Sequence, residues 1–316
     1  MNELSELRDL RADAPLPDGA RLAAPRNRLT SAFRQQTRAV PRRRTILAGA
    51  ATAGALAVTA GIVVALPEDD TPARKGPQVL SAGASAEALE LAAATVEKYD
   101  GTEPRPKQWV YVKSTAFLQG KPQTSELWTR WDGTGFAQKP GFSVEVGLDP
   151  DKMSVWYGPN QEEKLKEEGY DDRSQRQFYR FLATLPSDPD RMMKRIREEH
   201  AIGSIEGETP AQRDWREIDV LYRSVLIPPK VQAGLFRALA KIPGARVTTG
   251  VKDPLGRRAI GVSVTWPGRT ASGSKGRQEI FFDAKTYGYL GQTRNDGASV
   301  AARDDWGVVD KPGDHP

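Results

Sequence analysis

Apolar and polar positions along this chain fall into three regimes. Residues 45–66, TILAGAATAGALAVTAGIVVAL, contain no charge. At about 1.5 Å of rise per residue, that run makes a helix of roughly 33 Å, the thickness of a bilayer's hydrocarbon core. From 108 onward the period drops to two. QWVYVKSTAFL at 108–118 alternates and is rich in aromatic and β-branched residues, and the turn Gln119-Gly120-Lys121-Pro122 hands it to SELWTRW at 125–131. Asp132-Gly133 signals a hairpin, and further strands are expected at 134–138, 142–146 and 153–157. This spacing is that of an antiparallel meander.

Helical periods lie on either side of that block. Ser85 is the expected cap of a helix with Leu89, Ala92, Ala93 and Val96 inward. Downstream, Asp171 or Ser174 opens a helix closed by Pro186, and Asp188-Pro189 opens the next. Thr209-Pro210 and Pro228-Pro229 open two more. Strands resume at 245–251, 257–266, 277–283, 289–294 and 300–309. Strands, a central helical insertion and more strands predict an α+β domain built on one large antiparallel sheet.

Charge orients the apolar run. Arg38, Arg42, Arg43 and Arg44 precede it, whereas Glu68, Asp69 and Asp70 follow. Basic flanks stay on the cytoplasmic side, so the expectation is a single-pass plasma-membrane protein with its N-terminus inside. The organisation that follows is a cytoplasmic Arg-rich tail at 1–44, a transmembrane helix at 45–66, a flexible linker at 67–84 and an extracytoplasmic domain at 85–316. Two alternatives are a buried core helix and a cleaved export signal, since Arg43-Arg44-Thr45-Ile46-Leu47 is similar to the twin-arginine pattern. Ala50-x-x-x-Gly54 and Ala57-x-x-x-Gly61 have the small-residue spacing that lets membrane helices self-associate, a spacing that also arises by chance in Ala-rich runs.

Composition then excludes much chemistry. There is no Cys, and the two His are His200 and His315. Disulfides, thiolate sites, His-based metal centres and Ser-His-Asp machinery therefore lack parts. Neither cofactor nor metal is expected. The net charge of +5 resides in residues 1–44, with ten Arg and five acids, leaving 36 residues of each sign beyond. A neutral outer domain argues against nucleic acid. The basic tail reads as a segment held at the anionic inner leaflet, or as two short docking helices for a cytoplasmic partner.

Local motifs add little. Gly268 to Lys275 nearly spells a phosphate loop, but Ser274 intervenes before the Lys and a strand follows, so it reads as a hairpin loop. Ser272-x-x-Lys275 matches a penicillin-binding pattern only in letters. Asp171-Asp172 and Asp304-Asp305 read as solvated turns rather than cation sites. Residues 162–168 form a solvated charged face. The feature with functional promise is aromatic: all seven Trp lie beyond the apolar run, most of them on predicted strands. They are either the sheet's core and surface or the lining of an apolar ligand face, with Trp109, Tyr111, Trp128, Trp131 and Trp156 as candidates. Trp128 and Trp131 point to opposite faces of a regular strand, so one of them must belong elsewhere.

Several strings carry a resemblance. FLATLPSDP at 181–189, LFRALAKIPG at 235–244, FDAKTY at 282–287 with Leu290-Gly291, and VDKPG at 309–313, behind an Arg-rich tail and one span, resemble a family of actinobacterial single-pass membrane proteins commonly encoded beside extracytoplasmic-function sigma factors. The resemblance implies a role near envelope signalling, anti-sigma-like, with a cytoplasmic sigma factor as partner. The outer domain also looks like the half-barrel of the LolA and RseB lipoprotein-handling folds. The leading expectation is a non-enzymatic, membrane-tethered binding or sensing protein. The alternative is a tethered carrier of an apolar ligand or lipoprotein, and the third reading is an envelope hydrolase.

Overall fold

The computed structural model describes residues 76–118, 120–139, 152–157, 174–199 and 205–316. The tail 1–44 with Arg42, Arg43 and Arg44, the run 45–66 with its Ala50-Gly54 and Ala57-Gly61 pairs, and residues 67–75 of the linker 67–84 lie outside these residues. So do the strand expected at 142–146, the charged stretch 162–168, Asp171-Asp172 and His200. Among the described residues no helix is long and apolar enough to cross a membrane.

Among the described residues ten strands form one sheet: β1 Gln78–Val79, β2 Trp109–Leu118, β3 Lys121–Arg130, β4 Gly135–Lys139, β5 Ser154–Tyr157, β6 Arg246–Lys252, β7 Arg258–Trp266, β8 Gly276–Asp283, β9 Tyr289–Arg294 and β10 Ser299–Val309. Their order is β1-β6-β7-β8-β9-β10-β2-β3-β4-β5. Each neighbouring pair is antiparallel, so two meanders, β2 to β5 and β6 to β10, join where β10 pairs with β2. Five helices are described: α1 Ala82–Val96, α2 Gln175–Ala183, α3 Pro189–Glu199, α4 Pro210–Ser224 and α5 Pro229–Lys241. The last four form the expected insertion. The protein is an antiparallel, sheet-rich α+β fold.

The helices begin where capping chemistry places them. Ser174 with Gln177, and Thr209 with Gln212, make reciprocal capping boxes, with Pro210 in the first turn of α4. Helix α1 departs from expectation: Ser81 is its cap, accepting from Ala84 N at 3.3 Å. The predicted cap, Ser85, lies buried inside the first turn. Its hydroxyl accepts from Val247 N and donates to Leu80 O, pinning the helix to β6. Gln78 and Val79, expected in the flexible linker, pair with Thr249 and Thr248 of β6. The hairpin reading of 268–275 holds, since this segment links β7 to β8 and Thr270 N donates to Ser274 O.

The main core lies between the insertion and β6 to β9. Cross-strand neighbours Val247, Val262 and Ile280, and Ile260, Phe282 and Tyr289, share one sheet face. Against them pack Leu89, Met192, Ile218, Leu221, Leu235 and Phe236. At its centre Phe282 lies 4.8 Å from Phe236 and 4.9 Å from Tyr222, ring centre to ring centre, the tilted and edge-on arrangements that aromatic quadrupoles favour.

Candidate functional site

Strand β2 divides its side chains by alternation. Val110 and Val112 face the helical insertion, whereas Trp109 and Tyr111 face away from it. On the insertion side, β2, β9 and β10 form the floor of a cleft of about 280 Å³. Its opposite wall is Tyr179 of α2, the segment 222–227 that ends α4, and Pro229 and Gln232 of α5. The Gln175 side chain stitches that wall together, donating to Ser224 O at 2.8 Å and accepting from Leu226 N at 3.2 Å. Tyr179 donates to Gly101 O, which closes one end.

The floor depends on an irregularity in β10. Residues three apart on a regular strand point to opposite faces, yet Arg303 and Trp306 both line the cleft. A β-bulge between Arg303 and Asp305 absorbs one residue, and Asp304 turns away, accepting from the Thr115 hydroxyl at 2.8 Å. The carbonyls of Arg303 and Asp304 accept from Arg257, as does Leu290 O. Buried Asp253 in turn accepts from the Arg257 side chain. Asp304-Asp305 is thus part of a bulged strand rather than a turn.

Arg303 is the chemically distinctive group. Its guanidinium donates to Tyr222 O at 2.7 Å and Arg223 O at 3.3 Å, carbonyls in the last turn of α4 that the helix itself leaves unpaired. It stacks 4.8 Å from the Tyr289 ring and 5.8 Å from the Trp306 ring. Among the described residues it has no carboxylate partner. Burial pulls its pKa down to about 10, which leaves it cationic at neutral pH. One positive charge beside Val110 and Val112 of the floor and Leu226 and Ile227 of the wall, in a cleft that Asp100 also lines, can hold an amphiphile with one anionic group.

The candidates read from the sequence lie elsewhere. Trp109, Tyr111 and Trp128 gather, as expected of one face, but on the side away from the cleft. They are 3%, 1% and 2% exposed, Trp109 against Tyr157 and the other two against Asp314 and His315. Trp131 lies on the other face, as alternation requires. It is buried against Tyr179 and donates to Glu103. Trp156 pairs through its backbone with Phe136, and its side chain lies outside the described residues. Trp306 and Arg303 were missed because a bulge leaves no signature in hydrophobic period. Val110 and Val112, in contrast, could have been read from their alternation with Trp109 and Tyr111. Among the described residues no three Asp, Glu or His gather as a metal site.

No family model matches the chain, and no curated protein matches it. Among solved structures, the complex of Pseudomonas aeruginosa MucA and MucB overlaps 73% of this chain at 13% identity, with a TM-score of 0.28. The overlap takes in 58% of the matched chain's length. It is a loose likeness that does not establish a common fold.

Proposed function

We propose that this chain is a non-enzymatic binding protein whose sheet-and-helix body takes a small anionic amphiphile, or the anionic end of a longer one, in the cleft beneath Arg303. The single observation that carries this reading is an arginine with no carboxylate partner among the described residues, held between two aromatic rings over an apolar floor. A half-buried cation of this kind has lost part of its hydration, a cost that an anion would offset. We further propose that the run 45–66 tethers the body to the plasma membrane, with the Arg-rich tail inside and the body outside. The asymmetry of Arg42, Arg43 and Arg44 against Glu68, Asp69 and Asp70 supports that orientation. The resemblance to proteins encoded beside sigma factors supports a sensing role with a cytoplasmic partner. A tethered carrier of the same ligand class is the second reading, favoured by the apolar floor.

Binding of a dansylated medium-chain fatty acid to the detergent-solubilised full chain tests the cleft. Arg303→Met should weaken it at least tenfold, while the corresponding uncharged alcohol should bind both proteins equally. Equal affinity of the acid for both proteins would end the reading. Protease protection in cells tests topology: cleavage of the body from the cytoplasmic side refutes the tether.

A further inference from the structure

The side of β2 away from the cleft carries a separate feature. Trp109, Tyr111 and Trp128 form a buried aromatic cluster with Ala137 and Val309. Trp109 packs edge-on against Tyr157 of β5 at 5.8 Å, and over Tyr111 and Trp128 lies the segment 310–316, DKPGDHP, which is neither helix nor strand. Side chains of the sheet read this segment. The Trp128 indole N–H donates to Asp314 O at 2.9 Å. The His315 ring stands edge-on to Tyr111 at 5.0 Å and against Trp128 at 6.0 Å. His315 Nε2 lies 2.9 Å from Glu126 Oε2, which also accepts from the Tyr111 hydroxyl at 2.8 Å. Pro316 packs on Gly307, where a Cβ would come within 2.5 Å of Pro316 Cγ.

The geometry points to this aromatic face as a docking groove for an extended basic peptide segment of a partner protein, occupied in cis by 310–316 until the partner displaces it. The seated segment shows what the groove accepts: a carbonyl for the indole, an imidazole nitrogen for Glu126, and a proline on the glycine. Charge selects the rest. Asp304 and Asp305 lie near Tyr111 alongside Glu126, giving three carboxylates against Lys113 and Lys139, the cross-strand neighbours of Glu126. Burial would raise the Glu126 pKa, but hydrogen bonds from His315 and Tyr111 outweigh it and hold the carboxyl below its ordinary value, so it is an anion at neutral pH. The cis occupant meets it with an imidazole that is 56% exposed. A short tether supplies an effective concentration on the order of mM, so a trans segment prevails by carrying a permanent charge where the cis segment has His315.

The test measures fluorescence anisotropy of labelled peptides DKPGDHP, DKPGDKP and DKPGDDP with the full-length chain in detergent. Deletion of 310–316 frees the groove outright. Gly307→Val frees it without shortening the chain, since Pro316 is the group its new Cβ would strike. Either variant should bind DKPGDHP at least tenfold tighter than the intact chain does. DKPGDKP should bind tighter still and DKPGDDP more weakly, and Glu126→Gln added to Gly307→Val should abolish the preference. The proposal fails if neither variant gains affinity while its near-ultraviolet tryptophan signal stays native. It also fails if Lys and Asp peptides bind alike. Concentration-dependent dimers of the intact chain that disappear on deletion of 310–316 would overturn it in favour of a second copy as occupant. Because the groove and the Arg303 cleft are on opposite sides of β2, loss of fatty-acid binding and loss of peptide binding are separable results.

Discussion

The two halves of the sheet are covered very differently. Over β6 to β9 the helices α1, α3, α4 and α5 make a dense core in which Leu235, Phe236 and Phe282 are fully buried. Over β10 and β2 the same insertion supplies α2 and the segment following α4, and among the described residues a cleft remains. Topology explains the contrast. The insertion leaves from β5, at one edge of the sheet, and returns at β6, beside the other edge, so it must traverse the whole face. Most of its apolar residues are spent on the far half. One continuous sheet can therefore be a stability element at one end and a recognition element at the other.

Substitutions can break or sharpen that contrast. The largest effect is expected from Phe282→Ala, which should cost about 3–5 kcal/mol in urea unfolding, whereas Val112→Ala on the cleft floor should cost less than about 1.5 kcal/mol. Comparable losses at both sites would refute the division. Next comes Gly291→Ala in β9. Its φ of 149° suits glycine, and a Cβ there would lie 2.4 Å from Ala301 O, so a loss of about 1–3 kcal/mol is expected at the seam between the halves. Arg257→Met should loosen the bulge carbonyls and weaken fatty-acid binding about tenfold, or 1.4 kcal/mol, although Arg257 is absent from the cleft lining. Restoration by Arg257→Lys would mark a positioning role.

A smaller effect is pH-dependent. Burial would raise the Asp283 pKa, but the backbone N–H groups of Thr286 and Lys285 and the Thr286 hydroxyl outweigh it and hold the carboxyl below its ordinary value. The stability it contributes is therefore present above the ordinary carboxylate range and is lost as pH falls through the depressed value. Urea midpoints of Asp283→Asn should fall less steeply than those of the parent on acidification. The smallest effect should be at Arg105, whose ion pair with Asp310 is exposed on both sides, at 74% and 73%. Arg105→Ala should leave the midpoint unchanged within error.

Much of this architecture was legible because local chemistry and tertiary context agree. Thr209-Pro210 with Gln212 announces α4, and the alternation from Trp109 to Val112 is enough by itself to separate the two faces of β2. Ser85 misled because a serine near a helix start has two uses. Here Ser81 caps, and Ser85 satisfies the backbone of Val247 across 162 residues of sequence. The site was less legible than the fold. Its cation lies beside a bulge, and the aromatics that drew attention are covered by a stretch whose glycine and prolines look like any surface loop. Long-range pairing decides both, and neither leaves a period in the sequence.

Asp304 makes β10 two alternating stripes that are out of step by one. Length there is read as phase. Removing that single residue would bring the stripes into step and leave Arg303 and Trp306 still sharing a side, so a one-residue deletion that would invert a regular strand should be silent for facing at this position alone.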